Sequence, residues 1–100
     1  MTDLTPDDGG LVRISGDLTV DEVPDVHRQS LAWKDNGLPA VIDLAGVEHS
    51  DSSAVALLLE WAEWACRANR DIEFRNPIDS MRTIAGLSDL EPLLGWEDEK

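Results

Sequence analysis

Between residues 52 and 68 the chain is apolar around roughly 220° of a helix, about twice the stripe that a surface helix needs for one contact. One arc holds Val55, Leu58, Leu59, Ala62, Ala65 and Cys66, with Cys66 read as a small core residue. An adjacent arc holds Ala54, Leu57, Trp61, Trp64 and Ala68, leaving Glu60, Glu63, Arg67 and Arg70 for the wet side. Such a helix must be covered twice. The first arc is expected to face a sheet. The second can be covered by a neighbouring helix or the C-terminal tail, or by a partner. Trp is enriched at interface hot spots and charges rim the arc, so Ala54, Leu57, Trp61 and Trp64 are expected to dock a partner.

The rest of the chain supplies the sheet. Residues 10–15 alternate, with Val12 and Ile14 on one face. Residues 39–44 (PAVIDL) form a short apolar run between breakers, as a buried central strand does. Residues 71–75 (DIEFR) alternate again. Between the strands lie helical patterns at 20–33, with Pro24 in its first turn, Asp21 as N-cap and Asn36-Gly37 as its stop, and at 78–85. Gly46 to Asp51 reads as a polar loop, and residues 87–96 continue irregularly. Trp33 and Trp96 read as packing anchors and His27 as a surface histidine. The order strand–helix–strand–helix–strand–helix implies an α/β domain with a mostly parallel sheet. One domain over 1–100 is expected, with 1–9 and 97–100 as loose tails.

Composition narrows the chemistry. The 100 residues carry 8 basic and 21 acidic side chains, a net charge of −13. Nucleic acid and anionic lipid are therefore poor partners, since phosphate binding needs clustered cations. No apolar run reaches the roughly 20 residues of a membrane span, so no direct insertion is expected. The acidic N-terminus lacks the apolar core of a secretory signal, and a single cysteine suits a reducing, cytoplasmic setting. His27, His49 and Cys66 fall in no metal-ligand spacing, and no glycine-rich phosphate loop is present. His49, Asp51 and Ser52 lie within four residues, whereas triad members converge from different elements. No enzymatic activity, metal or cofactor is expected.

The loop before the long helix is the second informative stretch. His49-Ser50-Asp51-Ser52-Ser53 follows a buried strand and opens a helix N-terminus. Asp51 or Ser52 is expected to cap that helix. A hydroxyl exposed there can also accept a phosphate, which adds about −2 charge that the helix N-terminus tolerates. His49 is a candidate rim residue.

These residues resemble the STAS domain family. The similar stretch is Val41-Ile42-Asp43-Leu44-Ala45-Gly46-Val47-Glu48-His49-Ser50-Asp51-Ser52-Ser53-Ala54-Val55-Ala56-Leu57-Leu58-Leu59: an apolar strand, an Asp-Leu pair, a short loop, Asp-Ser-Ser, then an apolar helix. Ser15-Gly16-Asp17-Leu18 is similar to the turn that follows an early strand in that family. The resemblance implies a STAS-like single domain with a four- or five-stranded mixed sheet and helices largely on one side. It implies that Ser52 is the regulatory phosphoacceptor or contact position, supported by Asp51, Ser53 and His49. Ala54 stands where many anti-sigma factor antagonists carry Gly, and Pro6 with Asp7-Asp8 stands where the first edge strand should lie, so that strand is expected to be degenerate. The short chain and Leu57-Leu58-Leu59 look closest to MlaB-like members. That likeness implies an accessory subunit that binds the ATPase of an MlaFEDB-type phospholipid ABC transporter, in the cytoplasm or held by its partner at the inner face of the inner membrane. The alternative is an anti-sigma factor antagonist whose partner is an anti-sigma factor and serine kinase, switched by phosphoserine at Ser52.

Overall fold

The computed structural model describes residues 2–6 and 10–96. In chain order the elements are β1 (Asp3–Pro6), β2 (Leu11–Leu18), α1 (Val23–Ser30), α2 (Trp33–Asn36), β3 (Val41–Ser50), α3 (Ser52–Arg67), β4 (Glu73–Arg75), α4 (Asp79–Leu87) and α5 (Glu91–Leu94). The strands form one mixed sheet in the order β1-β2-β3-β4. β1 runs antiparallel to β2, and β2, β3 and β4 are mutually parallel neighbours.

Alternation along the strands makes the sheet one-sided. Val12, Ile14 and Leu18 of β2, Ile42 and Leu44 of β3 and Phe74 of β4 are buried. Arg13, Asp43 and Arg75 sit across one another in register on the opposite face, with Arg13 Nε 3.6 Å from Asp43 Oδ2. A sheet with one dry face and one charged face takes its helices on the dry side. The core there joins these strand residues to Val26, Leu57, Leu58, Trp61, Met81 and Leu94.

Two expectations about the strands are corrected. Residues 3–6 are not a loose lead-in but the edge strand β1. Its four residues are too few to show a period, and the pairing comes from the exposed edge of β2. Pro6 closes the strand, where a missing N–H on an edge does no harm. Thr2 is buried, and its hydroxyl donates to the Asp17 carbonyl. Residues 1, 7–9 and 97–100 lie outside the described residues, and so does what was expected of them as tails.

The second correction is to the stretch 45–50, which is strand rather than loop. Alternation fails there because buried Leu44 is followed by exposed Ala45 and Gly46 before Val47 turns inward. The extra residue coincides with register shifts against β2, between Arg13 and Ser15 and between Gly16 and Asp17. A β-bulge of this kind hides a strand from a period-2 search. Gly16 adopts φ 104° at this irregularity. Gly46 permits close approach of the strands, since a Cβ there would lie 2.9 Å from the Ile14 carbonyl oxygen and 2.9 Å from Ser15 Cβ.

The helices largely follow their patterns. The expected 20–33 helix breaks into α1 and the single turn of α2, and Gly37, at φ 111°, stops α2 as foreseen. Glu22 rather than Asp21 occupies the N-cap position of α1, with no side-chain cap bond. The irregular end of the chain contains α5, and Trp96 docks it on β4 by donating from Nε1 to the Phe74 carbonyl at 2.9 Å. Gly46→Ala is expected to destabilise the fold by about 1–3 kcal/mol, the usual cost of overpacking. Urea unfolding measures this, and an unchanged midpoint would refute the close approach of β2 and β3.

Candidate functional site

The apolar excess of α3 is covered from within. Ala54, Leu57 and Trp61 are buried, and Trp64 is only 9% exposed. The cover is α1 with α2. The Trp61 indole N–H donates to Ser30 Oγ at 2.9 Å, and the Ser30 hydroxyl donates to the His27 carbonyl at 2.7 Å. The Trp33 ring lies 4.9 Å from Trp61, His27 lies 5.6 Å from Trp64, and Lys34 Nζ sits 4.4 Å above the Trp64 ring. Ala54, Leu57, Trp61 and Trp64 are therefore core residues and not a docking face. Intramolecular burial won because α1 brings a matching apolar side and a polar partner for the indole N–H, which would otherwise be costly to bury. Cys66, expected in the core, is exposed.

What remains accessible is the N-terminal end of α3. Asp51 adopts an extended conformation (φ −138°, ψ −168°) as the N-cap. Its Oδ1 accepts from the Ser53 N–H at 2.9 Å and also from the Ser53 hydroxyl. Its Oδ2 accepts from the Val20 N–H at 2.9 Å, so one carboxylate joins the start of α3 to the turn between β2 and α1. The Ser53 hydroxyl first, and then the backbone N–H groups of Val20, Ser53 and Ala54, hold the Asp51 carboxyl below its usual range against the opposing effect of burial, which ranks second among the causes. Ser52 is the first residue of the helix and is exposed. The first turn of α3 carries no acidic residue, so the one negative charge answering the helix N-terminus is the Asp51 cap beside Ser52.

The residues before Ser52 in the chain are held by three other segments. Val20, whose N–H is bound by Asp51, is 63% exposed, although the sequence pattern places it at the start of a helix. Ser50 Oγ lies 3.0 Å from Ser80 Oγ, which ties the end of β3 to α4. His49 Nδ1 lies 2.9 Å from Asp17 Oδ1 across the ends of β3 and β2. That hydrogen bond, with the charges of Asp17 and then Glu48, raises the His49 pKa above its ordinary value. Asp17, Glu48 and His49 can each bring one ligand atom within 4.8 Å of the others. The group is largely exposed and His49 is engaged by Asp17, so its described role is an ion pair between strand ends. Asp51 binds Ser53 around the exposed Ser52, whereas His49 is engaged by Asp17 at the strand ends. Val20, Asp17 and Ser80 were missed, because nothing local marks contacts made some thirty residues away.

Comparison with known proteins agrees with this geometry. A model of the family described as Mlab, STAS domain matches residues 1–95. The chain belongs to the STAS domain family, whose members are generally non-catalytic interaction and regulatory modules. Two solved structures share the fold. One is the anti-sigma factor antagonist SpoIIAA in its unphosphorylated form, with 21% identity, TM-score 0.67, and coverage of 87% of this chain and 83% of that one. The other is the Bacillus cell fate determinant SpoIIAA in the phosphorylated form, with 22% identity, TM-score 0.69, and coverage of 93% and 87%. No curated protein matches the chain. No helix among the described residues is long and apolar enough to cross a membrane.

Two measurements test the site's electrostatics. Asp51→Ala is expected to cost about 1 kcal/mol through loss of the cap. Because the folded carboxyl titrates below the unfolded one, that advantage is present above the unfolded value of 3.8 and fades as pH falls through the folded value. Unfolding curves of the two proteins should therefore converge in acid. For His49 the sign is opposite. Its pair with Asp17 stabilises fully below the unfolded value of 6.5 and is lost as pH rises through the higher folded value. Histidine NMR titration should find His49 above 6.5 and lowered by Asp17→Asn. An unshifted His49 would show that the pair does not form in solution.

Proposed function

We propose that this STAS domain is a non-catalytic accessory subunit that docks on the ATPase of an MlaFEDB-type phospholipid ABC transporter, with its contact centred on Ser52. The observation that carries this reading is the exposed Ser52 at the Asp51-capped start of α3, in a chain matched over residues 1–95 by the MlaB-type family. With the tryptophan arc buried, the apolar contribution to docking at this end falls to exposed Val20, whose N–H is bound by the Asp51 cap. His49 and Ser53 complete the rim. A hydroxyl at this place suits a close contact, and a phosphate on it would be tolerated by the helix but repelled by an acidic or desolvated partner surface. Such a subunit would sit at the inner face of the membrane through its partner.

A second reading is favoured by the shared fold with SpoIIAA, solved in both an unphosphorylated and a phosphorylated form. In it the chain is an anti-sigma factor antagonist. Unphosphorylated Ser52 lets it bind an anti-sigma factor with serine kinase activity, and phosphorylation releases it.

Affinity purification of the tagged protein from its native cells, as wild type and Ser52→Asp, distinguishes the two. Recovery of an ABC ATPase with wild type and its loss with Ser52→Asp is the expected result. Recovery of an anti-sigma kinase, with phosphate on Ser52 by mass spectrometry, would replace the first reading with the second. Val20→Asp is expected to weaken the purified complex at least about tenfold in calorimetry, as for a hot-spot contact. Unchanged affinity would remove Val20 from the docking surface.

A further inference from the structure

A second surface lies at the opposite end of α3, about 22 Å along the helix axis from Ser52. Three of the chain's eight basic residues meet there. Lys34 of α2, Arg67 at the end of α3 and Arg70 just beyond it line one cleft of about 320 Å³, together with Trp33, Leu38 and Trp64. A second cleft of about 360 Å³ shares Trp33, Gly37, Leu38 and Arg70 and continues past Pro39 to Pro6 and Leu11. Sharing these residues, the two make one open groove running from Trp64 to Pro6, with walls part apolar and part polar.

The cations are held there by backbone geometry. Asn69, at φ 56°, lets the Arg70 N–H turn back onto the Ala65 carbonyl at 2.8 Å and the Asn69 N–H onto the Cys66 carbonyl at 3.1 Å. This is a Schellman closure of α3, and it fixes where Arg70 leaves the helix. Gly37, at φ 111°, closes α2 and carries Leu38 to the groove wall. Arg67 is accounted for locally, since it pairs with Glu63 at 2.8 Å and suits the helix C-terminus. Lys34 rests over the Trp64 ring, a contact that answers its charge with no carboxylate, and Arg70 has no such local account. Among the described residues neither forms an ion pair, and they reach the groove from two separate segments. In a chain of net charge −13, cations gathered beside apolar side chains mark where an anionic partner can land.

We propose that this groove docks a short extended peptide segment of a partner protein, bearing carboxylates beside a large apolar residue. The apolar side chain lies against Trp33 and Leu38, and the carboxylates meet Lys34 and Arg70. The elongated shape, open to solvent along its length, favours an extended chain over an enclosed small molecule. Three cations against a strongly acidic background are too few to hold a nucleic acid.

The test is NMR and calorimetry on the full chain at low salt. The probe is an end-capped hexapeptide of two leucines flanked by glutamates, and the control is the same peptide with glutamines. The glutamate peptide is expected to shift the Trp33 indole N–H and the Gly37 and Arg70 amides, and to bind at least about tenfold more tightly than the control. The double variant Lys34→Gln with Arg70→Ser should lose about tenfold in affinity and remain folded, with only the small drop in midpoint that losing the Lys34 contact with the Trp64 ring brings. Arg82→Ser, a cation on α4, should bind as wild type does. The proposal is overturned by no shift at millimolar peptide, by equal binding of the glutamine peptide, or by shifts confined to the Ser52 end.

Discussion

Everything else in this molecule depends on how α3 is covered. A 16-residue helix that is apolar on two sides cannot rest on a sheet alone. The sheet can supply only one cover, because its other face carries Arg13, Asp43 and Arg75. The second cover is the pair α1 and α2, held by the indole of Trp61 on buried Ser30 and by the stacking of Trp33 on Trp61. With Ala54, Leu57, Trp61 and Trp64 buried, that arc has little apolar surface left for a partner. The first arc is covered only in part, since Leu59 and Ala62 are half-buried and Cys66 is exposed.

The two ends differ in chemistry for reasons that follow from helix electrostatics. At the start, the Asp51 carboxylate caps the first N–H groups and leaves the Ser52 hydroxyl exposed. At the finish, Arg67 answers the opposite partial charge, and the closure through Asn69 sets Arg70 beside Lys34. STAS family membership agrees with a regulatory role carried by surface contacts.

Much of the Ser52 site was legible from residue order. Asp51, Ser52 and Ser53 announce a capped helix start within three residues, and the structure places the cap bond there. Val20 was not legible, since its approach to Asp51 spans 31 residues and depends on how β2 hands over to α1. The tryptophans of α3 misled for a related reason. Trp61 and Trp64 carry the same residue signature whether they anchor a partner or a neighbouring helix, and only the position of Ser30 and His27 decides between them.

By itself the sequence determined the features that neighbours along the chain can specify: the buried strand at Ile42 and Leu44, the length and start of α3, the stop at Gly37 and the α/β order. Propensity, capping and hydrophobic period act over a few residues, so they can be read in place. Tertiary structure decided what depends on distant partners. It recruited Asp3–Pro6 as an edge strand and carried β3 through a bulge to Ser50. It also buried the tryptophan arc and brought Lys34 to Arg70. Each of these outcomes is a competition between surfaces far apart in the chain, settled by which pairing buries more apolar area and leaves fewer polar groups unmatched.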